Sequence, residues 1–437
     1  MSDQEKVVVF WFRRDLRLDD NTGLLQALKS GYKVLPVFIF DPSILDSLEK
    51  DDSRVSFIHR SLENLNIQLK DHHSSIAVYK GTPLSVFKSL LHEYNIQAVY
   101  TNRDYEPYAM KRDAEINEFL NSASVEFHTF KDQVIFEKNE IVKEDGTPYI
   151  VYTPYMKRWK AILHSGRYNY SPVDGSSLRS YFYKGKDLPW LSLKEIGFQT
   201  SDIKVLPFNI SPSRINTYEA RRNFPGIEGT SGLSPHLRFG TIGIRTVLKK
   251  ALEEKNETFL NELIWREFYM QILWHFPHTL TRSFKEKYDH IQWRNDEDEF
   301  RKWCKGETGY PLVDAGMRQL NKTGYMHNRV RMLVGSFLCK HLLIDWRWGE
   351  AYFAQKLLDY EMASNIGNWQ WVAGCGVDAA PYFRIFNPDT QIKKFDKDLK
   401  YTRTWVEDLE EFSYPSPMVD HKLARERCLA AYKEALL

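Results

Sequence analysis

Five short apolar runs occupy the first 130 residues: VVVFWF (7–12), VLPVFIF (34–40), SIAVY (75–79), IQAVYT (96–101) and VEFHTF (125–130). Between them lie amphipathic stretches such as RVSFIHRSLENLNIQL (54–69), apolar at helical intervals. Runs that are apolar throughout, rather than at alternate positions, mean a sheet buried on both faces, and intervening helices mean parallel pairing. The spacing therefore predicts a doubly wound α/β domain over residues 1–130, with ligands expected beyond the carboxyl ends of its strands. The turn after the first run, RRDLRLDD, has no glycine, so a dinucleotide fingerprint is missing there. Polar loops at 13–21 and 102–107 stand at the strand ends instead.

From about 131 to 210 the periodicity dissolves under Gly146, Pro148, Pro154, Pro172, Pro189 and Pro207, which reads as a long connector with short helices. After residue 210 the strand pattern is gone, and helical patterns follow one another over 211–437. Nine of the 12 tryptophans lie beyond residue 264. A helical domain so rich in indoles is either densely packed or built round a flat aromatic cofactor. At 437 residues, 43% hydrophobic and 27% charged, the chain suggests two or three globular domains. No run of about 18 apolar residues exists to span a membrane. The opening MSDQEK lacks the form of a signal peptide, and the four cysteines show neither C-x-x-C nor zinc spacing, so free thiols in the cytoplasm and no metal are expected. A net charge of +2 is too small to imply nucleic acid, so any DNA contact must come from a local patch.

Within the helical part, the segment DYEMASNIGNWQWVAGCGVDAAPYFRIF (359–386) sets Asn365 and Trp369 one turn apart on a shared face. Trp371 falls about 200° further round, which predicts that the two indoles serve different compartments. In NELIWREFY (261–269), Glu262 and Trp265 share a face; in GYMHNRVRM (324–332), Asn328 and Met332 do. Ser234 is a suitable N-cap and Pro235 a suitable first helical residue, so the loop 229–232 beside them offers hydroxyls and amides to a diphosphate. Gly374-x-Gly376-x-x-Ala379 fits the dinucleotide pattern on paper but follows a helix rather than a strand, and is set aside. The segment RIFNPDTQIKKFDKDLK (384–400) interleaves basic and aromatic residues, as a phosphate-tracking rim would. Taken singly, each has a bland reading: core indoles, a surface acid, a solvated charged face.

Together these motifs resemble the photolyases and cryptochromes, and most closely the class I enzymes that repair cyclobutane pyrimidine dimers, from VVVFWFRRDLRLDDN (7–21) to YPSPMVDHKLARERCLAAY (414–432). The resemblance implies an all-helical, FAD-binding catalytic domain, and a second, light-harvesting chromophore of folate, deazaflavin or flavin type in the α/β domain. An empty or purely structural α/β domain is the other reading of those residues. It assigns flavin contacts to Tyr218, Thr230, Ser231, Gly232, Leu233, Ser234, Arg266, Arg331, Asp359, Tyr360, Glu361 and Asn365, the last beside flavin N5. Trp369, Trp346 and Trp293 become the electron chain to the flavin, with Trp348 and Trp303 outside it. Glu262, Trp265, Asn328, Met332 and Trp371 would receive the flipped-out dimer, while Arg222, Arg329, Arg384, Gln391 and Lys394 would contact DNA. Asn328 and Met332 stand where enzymes for (6-4) photoproducts carry histidines, which implies cyclobutane dimers in UV-damaged DNA as the substrate. The chain departs from the family where Asp359-Tyr360-Glu361 replaces Asp-Gly-Asp, and at Ile366 and Asn368. The expected activity is blue-light-driven electron transfer from reduced FAD to the dimer by a monomer. A signalling cryptochrome and a flavin oxidoreductase without light chemistry are the alternatives.

Overall fold

The computed structural model describes residues 5–185, 188–254 and 256–437. The apolar runs form a five-stranded, wholly parallel sheet: β1 (Lys6–Phe12), β2 (Lys33–Phe40), β3 (Ala77–Lys80), β4 (Asn95–Asn102) and β5 (Glu126–Phe130), in the order β3-β2-β1-β4-β5. Helices α1 (Thr22–Leu28), α2 (Ser53–Lys70), α3 (Pro83–Glu93) and α4 (Pro107–Ser122) connect and cover the strands. Alternate residues of β1 enter two separate cores: Val8, Phe10 and Phe12 one, Val7, Val9 and Trp11 the other. That division explains why the run is apolar at every position. Helix α2 buries Val55, Leu62, Leu65 and Leu69, the stripe its periodicity predicts.

The strand order reverses between β1 and β4, and beyond their carboxyl ends lies a crevice lined by Arg13, Arg14, Asp15, Asn102, Arg103, Asp104, Asp132 and Gln133. Its charges are matched internally. Arg13 pairs with Asp113, and Arg14 bonds Asp104 at 3.1 Å and Glu106 at 3.0 Å. Arg17 and Arg245 both engage the buried Asp132, and Arg245 also meets Asp20 at 2.7 Å. The same unit holds a larger open cleft of about 790 Å³ between 16–20, helix α2 and 241–246.

By contact, the chain divides into one unit of residues 1–137, 165–208 and 232–253, and a second of 138–164, 209–231 and 254–437. These units cut across the boundaries expected at 130 and 210. The expected connector is shared between them, and α6 (Ile244–Glu253), expected in the helical domain, joins the α/β unit. The cause is the buried Asp20–Arg245–Asp132 network, a long-range pairing that periodicity cannot reveal.

The second unit is helical. The elements that matter for the site are α5 (Tyr152–His164), α7 (Glu257–His275), α8 (Asn328–Ser336), α9 (Trp346–Lys356), α10 (Met362–Ala373) and α11 (Pro388–Phe395). Its core gathers Trp303, Phe337, Trp346, Phe353 and Trp369. Helix α10 begins at Glu361, whose carboxylate accepts the Ser364 N–H at 3.3 Å, and ends at Gly374, left-handed at φ 90°. Gly374 is thus a helix terminator, as the rejection of the glycine pattern at 374–379 requires. No described helix is long and apolar enough to cross a membrane.

Candidate active site

Helix α10 forms one wall of an open cleft of about 590 Å³ in the helical unit. Asn328, Arg331 and Met332 reach it from α8, Asp359, Tyr360 and Glu361 from the turn before α10, and Asn365, Trp369 and Trp371 from α10 itself. Nine residues singled out in the sequence therefore meet round one space. The two-compartment expectation for the indoles needs correction. Both line this cleft, and they differ in depth: Trp369 is buried and Trp371 only half-buried. The rotation of about 200° between them round α10 therefore does not put them in different spaces.

Trp369 is closely confined. A Cβ on Gly349 would stand 2.1 Å from its ring, and one on Gly335 3.4 Å away. Phe353 and Trp303 meet it edge-on, with centroids at 5.0 and 6.2 Å. Trp303, left outside the expected electron chain, is thus an indole in ring contact with Trp369. Trp346 lies buried in the same core with the Arg347 guanidinium 4.7 Å over its ring, and Trp293 packs edge-on against Tyr432 at 6.0 Å. Phe300 stacks on Trp303 and carries Trp348 at its edge.

The polar wall is built from two pairs. Arg331 donates to Asp359 at 2.9 Å; burial opposes the charge, but the carboxylate outweighs it and holds the guanidinium above its usual pKa. Asn365 donates both amide hydrogens to Glu350, one to its carbonyl at 3.2 Å and one to its carboxylate at 3.0 Å. That leaves the amide oxygen as the group available to a ligand. Burial pushes the Glu350 carboxyl above its ordinary pKa. Glu350 was missed in the sequence, since an acid inside WRWGEAYFAQK matches no motif; its one signal is a carboxylate on an otherwise aromatic helix. Glu361, expected as a longer-armed flavin carboxylate, spends one oxygen capping α10 through Ser364.

A second group gathers round α7. Arg222 forms an ion pair with Glu262 and lies over the Tyr218 ring at 5.5 Å. Trp265 stacks on Tyr152. Arg266, on the same helix, does not line the cleft. Tyr325 reaches Thr230 on one side and lies under Arg331 on the other, which connects the loop at 229–231 to the polar wall. Ser231 takes part in that loop through its carbonyl, which accepts from Asn209. Ser234 is not the N-cap. Gly232 is left-handed at φ 66°, which lets Leu233 enter helical geometry one residue early and take the cap position without a side-chain bond.

The basic rim comes from three elements. Burial and the nearby Arg222 and Arg384 guanidiniums press the Arg329 pKa down. Neither Arg329 nor Arg384 pairs with a carboxylate among the described residues; Arg329 bonds Asn223 and lies 4.5 Å over the Phe395 ring, and Arg384 lies over Phe386. Lys394 on α11 shares the Phe395 ring, and Gln391 stands one turn before it. His327 is the N-cap of α8: its Nδ1 accepts the Arg329 N–H at 3.1 Å. Burial, then Arg331 and Arg329, push its pKa down to about 4, so the ring stays neutral and structural.

The cleft suits a flavin. Phe353, Leu357, Trp369 and Val372 give apolar lining, two of them flat rings, while Arg331, Asp359 and Asn365 add donors and acceptors, the mix a heteroaromatic ring with a polar edge requires. Comparison with known proteins agrees. Residues 259–413 match the family described as the FAD binding domain of DNA photolyase, and residues 8–173 match the family described as DNA photolyase. The chain is similar to a deoxyribodipyrimidine photo-lyase of Alkalihalophilus pseudofirmus, 36% identical over 99% of both chains. A class III photolyase from Agrobacterium tumefaciens superposes with a TM-score of 0.88 at 34% identity, over 100% of this chain and 98% of that one. An archaeal photolyase from Sulfolobus tokodaii, solved with two FAD molecules, gives 0.81 at 33% identity over 98% and 99%. The protein is a flavoprotein of two units, one α/β and one helical. It belongs to the DNA photolyase family.

Proposed function

We propose that the protein is a deoxyribodipyrimidine photo-lyase that reverses cyclobutane pyrimidine dimers in UV-damaged DNA with FAD and blue light. The observation that carries this reading is the cleft on α10, where a flavin-suited polar wall lines one space with Asn328, Met332 and Trp371, three of the five residues expected to receive the dimer; Glu262 and Trp265 stand outside that lining, with Arg222 and Tyr152. When bound, FAD supplies the light absorption and the single electron that opens the cyclobutane ring and is afterwards returned.

The chain's own residues bind, orient and shield. Glu350 turns the Asn365 amide so that its oxygen faces ligand, an acceptor for a ring N–H. The Arg331–Asp359 pair presents a charge that is already neutralised, so the wall can approach a ring without a bare charge in a dry site. Trp265 and Trp371 offer indole faces to extruded bases, and Met332 a soft thioether. Glu262 hydrogen-bonds a base edge; in the free protein Arg222 holds it in place. Arg329 and Arg384, left without carboxylates, bind phosphates. Tyr218, Thr230, Ser231 and Arg266 complete the helical unit's share of the flavin's surroundings in this reading. At the sheet's carboxyl edge Arg13 and Arg14 are already paired with carboxylates, so the 790 Å³ cleft of that unit is the roomier place for a second chromophore. The working form is a cytoplasmic monomer, in keeping with four cysteines that are all free.

Illumination of each purified lesion with the reduced holoenzyme tests the assignment. Cyclobutane dimers are expected to recover thymine absorbance. The (6-4) product is expected to stay unchanged, because neither Asn328 nor Met332 can deliver a proton near neutral pH. Repair of the (6-4) product, or light-independent flavin turnover alone, overturns the reading. Electron supply separates from repair in a second arm: Trp369→Phe is expected to abolish photoreduction of oxidised flavin and spare repair by chemically reduced enzyme, whereas Trp371→Phe weakens dimer binding.

A further inference from the structure

We infer that Tyr152 is a positioning residue of the damage pocket, a rigid backing for Trp265 that fixes the plane on which an extruded base stacks. The inference rests on the reading of Trp265 as a base-stacking residue and deepens it.

The two rings lie 3.6 Å apart between centroids and 4° from parallel. Two aromatic rings left to themselves avoid this face-to-face arrangement, because their quadrupoles favour offset or edge-on contact. The stack must therefore be imposed by its surroundings, and three anchors do so. The Tyr152 hydroxyl donates to the Asn261 carbonyl at 2.9 Å. Asn261 is four residues before Trp265 on α7, so the phenol is fastened to the helical face from which the indole projects. The Tyr152 N–H, the first of α5, donates to the Asp378 carboxylate at 3.2 Å. Phe268 then closes the edge of both rings, at 5.8 Å from Tyr152 and 5.6 Å from Trp265.

Exposure follows the same division. Tyr152 is buried, while Trp265 is only half-buried and keeps part of its surface open. One face of the indole is committed to Tyr152, which leaves the remainder for a ligand. Asp378 adds a second link. It holds a left-handed backbone at φ 43°, uncommon for a residue with a side chain, in the loop between α10 and Arg384. The tyrosine that backs the stacking indole is thus tied to the segment that carries a phosphate-binding arginine, so base and backbone contacts share one post.

The test measures binding of the reduced holoenzyme to a duplex with a single thymine dimer, together with splitting at saturating DNA. Tyr152→Leu keeps bulk but removes the flat ring. It is expected to weaken dimer binding up to about tenfold, the worth of one aromatic pair, with FAD content and splitting per bound complex unchanged. Tyr152→Phe, which keeps the plate and loses only the anchor to Asn261, is expected to bind within about threefold of the wild type, one hydrogen bond's worth. Trp265→Ala is the control, and adding Tyr152→Leu to it is expected to cost nothing more. Wild-type binding by Tyr152→Leu alongside a weakened Trp265→Ala overturns the inference alone. Wild-type binding by Trp265→Ala overturns the stacking reading and the inference with it. Should Tyr152→Leu fail to fold, Asp378→Ala leaves the ring intact and frees its backbone anchor. That variant is expected to bind dimer about threefold more weakly, and unchanged binding overturns the inference.

Discussion

The two units treat their arginines in opposite ways. At the carboxyl edge of the sheet Arg13, Arg14, Arg17 and Arg245 each meet a carboxylate, most of them buried. In the helical unit Arg222 and Arg331 are paired, but among the described residues Arg329 and Arg384 are not, and burial together with the Arg222 and Arg384 guanidiniums depresses the Arg329 pKa. Matched charge holds structure together; unmatched charge of one sign, kept in place by aromatic rings, waits for an anion.

The largest effect is expected where matching is deepest. Arg245→Met leaves the buried Asp20 without its charged partner and Asp132 with Arg17 alone, and a loss of about 3–5 kcal/mol in urea unfolding is expected, while the folded fraction keeps its affinity for dimer. A loss of less than 1 kcal/mol would break the contrast. Next comes the cap of α8. The unfolded His327 ring titrates near 6.5, the folded one near 4, so the unfolded chain takes the proton first as pH falls. Stability is therefore intact above about 6.5 and lost on acidification towards 4, by roughly 3 kcal/mol. His327→Asn keeps a cap without the titration and is expected to flatten that slope; the buried His341, also pushed down, to about 3, supplies what remains. Glu262→Ala removes a charged hydrogen-bond partner from the base and frees Arg222, so dimer binding should weaken by roughly 1.5–3 kcal/mol, read by titration with damaged duplex. The smallest effect sharpens the comparison most. Arg329→Ala and Arg384→Ala are each expected to weaken damaged and undamaged DNA alike and to lower the slope of log affinity against log salt by about 0.9. The same substitution at Arg14 should leave that slope unchanged.

What could be read from the sequence was local. The central strands β1 and β2 fall on apolar runs because burial on both faces leaves hardly a polar position to confuse the pattern, while β5, with Glu126 and His128, is less covered and is read from its spacing in the series. Asn328 with Met332 and Asn365 with Trp369 share faces because helical geometry guarantees it. Contacts between distant segments stayed hidden. No spacing joins Tyr152 to Trp265, Arg222 to Glu262, or Arg245 to Asp20, and Glu350 carries no motif. The cap at Leu233 escaped because a left-handed glycine moved the helix start by one residue. The depth of Trp371 escaped because angle round a helix does not say how wide the facing space is.

One feature of the core bears on how uniform the molecules of a sample can be. Trp369 has the α-carbons of two glycines at its ring and aromatic edges at two other sides, which leaves it a single seat. An indole that cannot rock keeps its distances to every neighbour, so electron passage through it should follow one rate rather than a spread, and transient absorption should decay as a single exponential at that step. In the proposed electron chain, positions 335 and 349 then govern that rate although neither has a side chain.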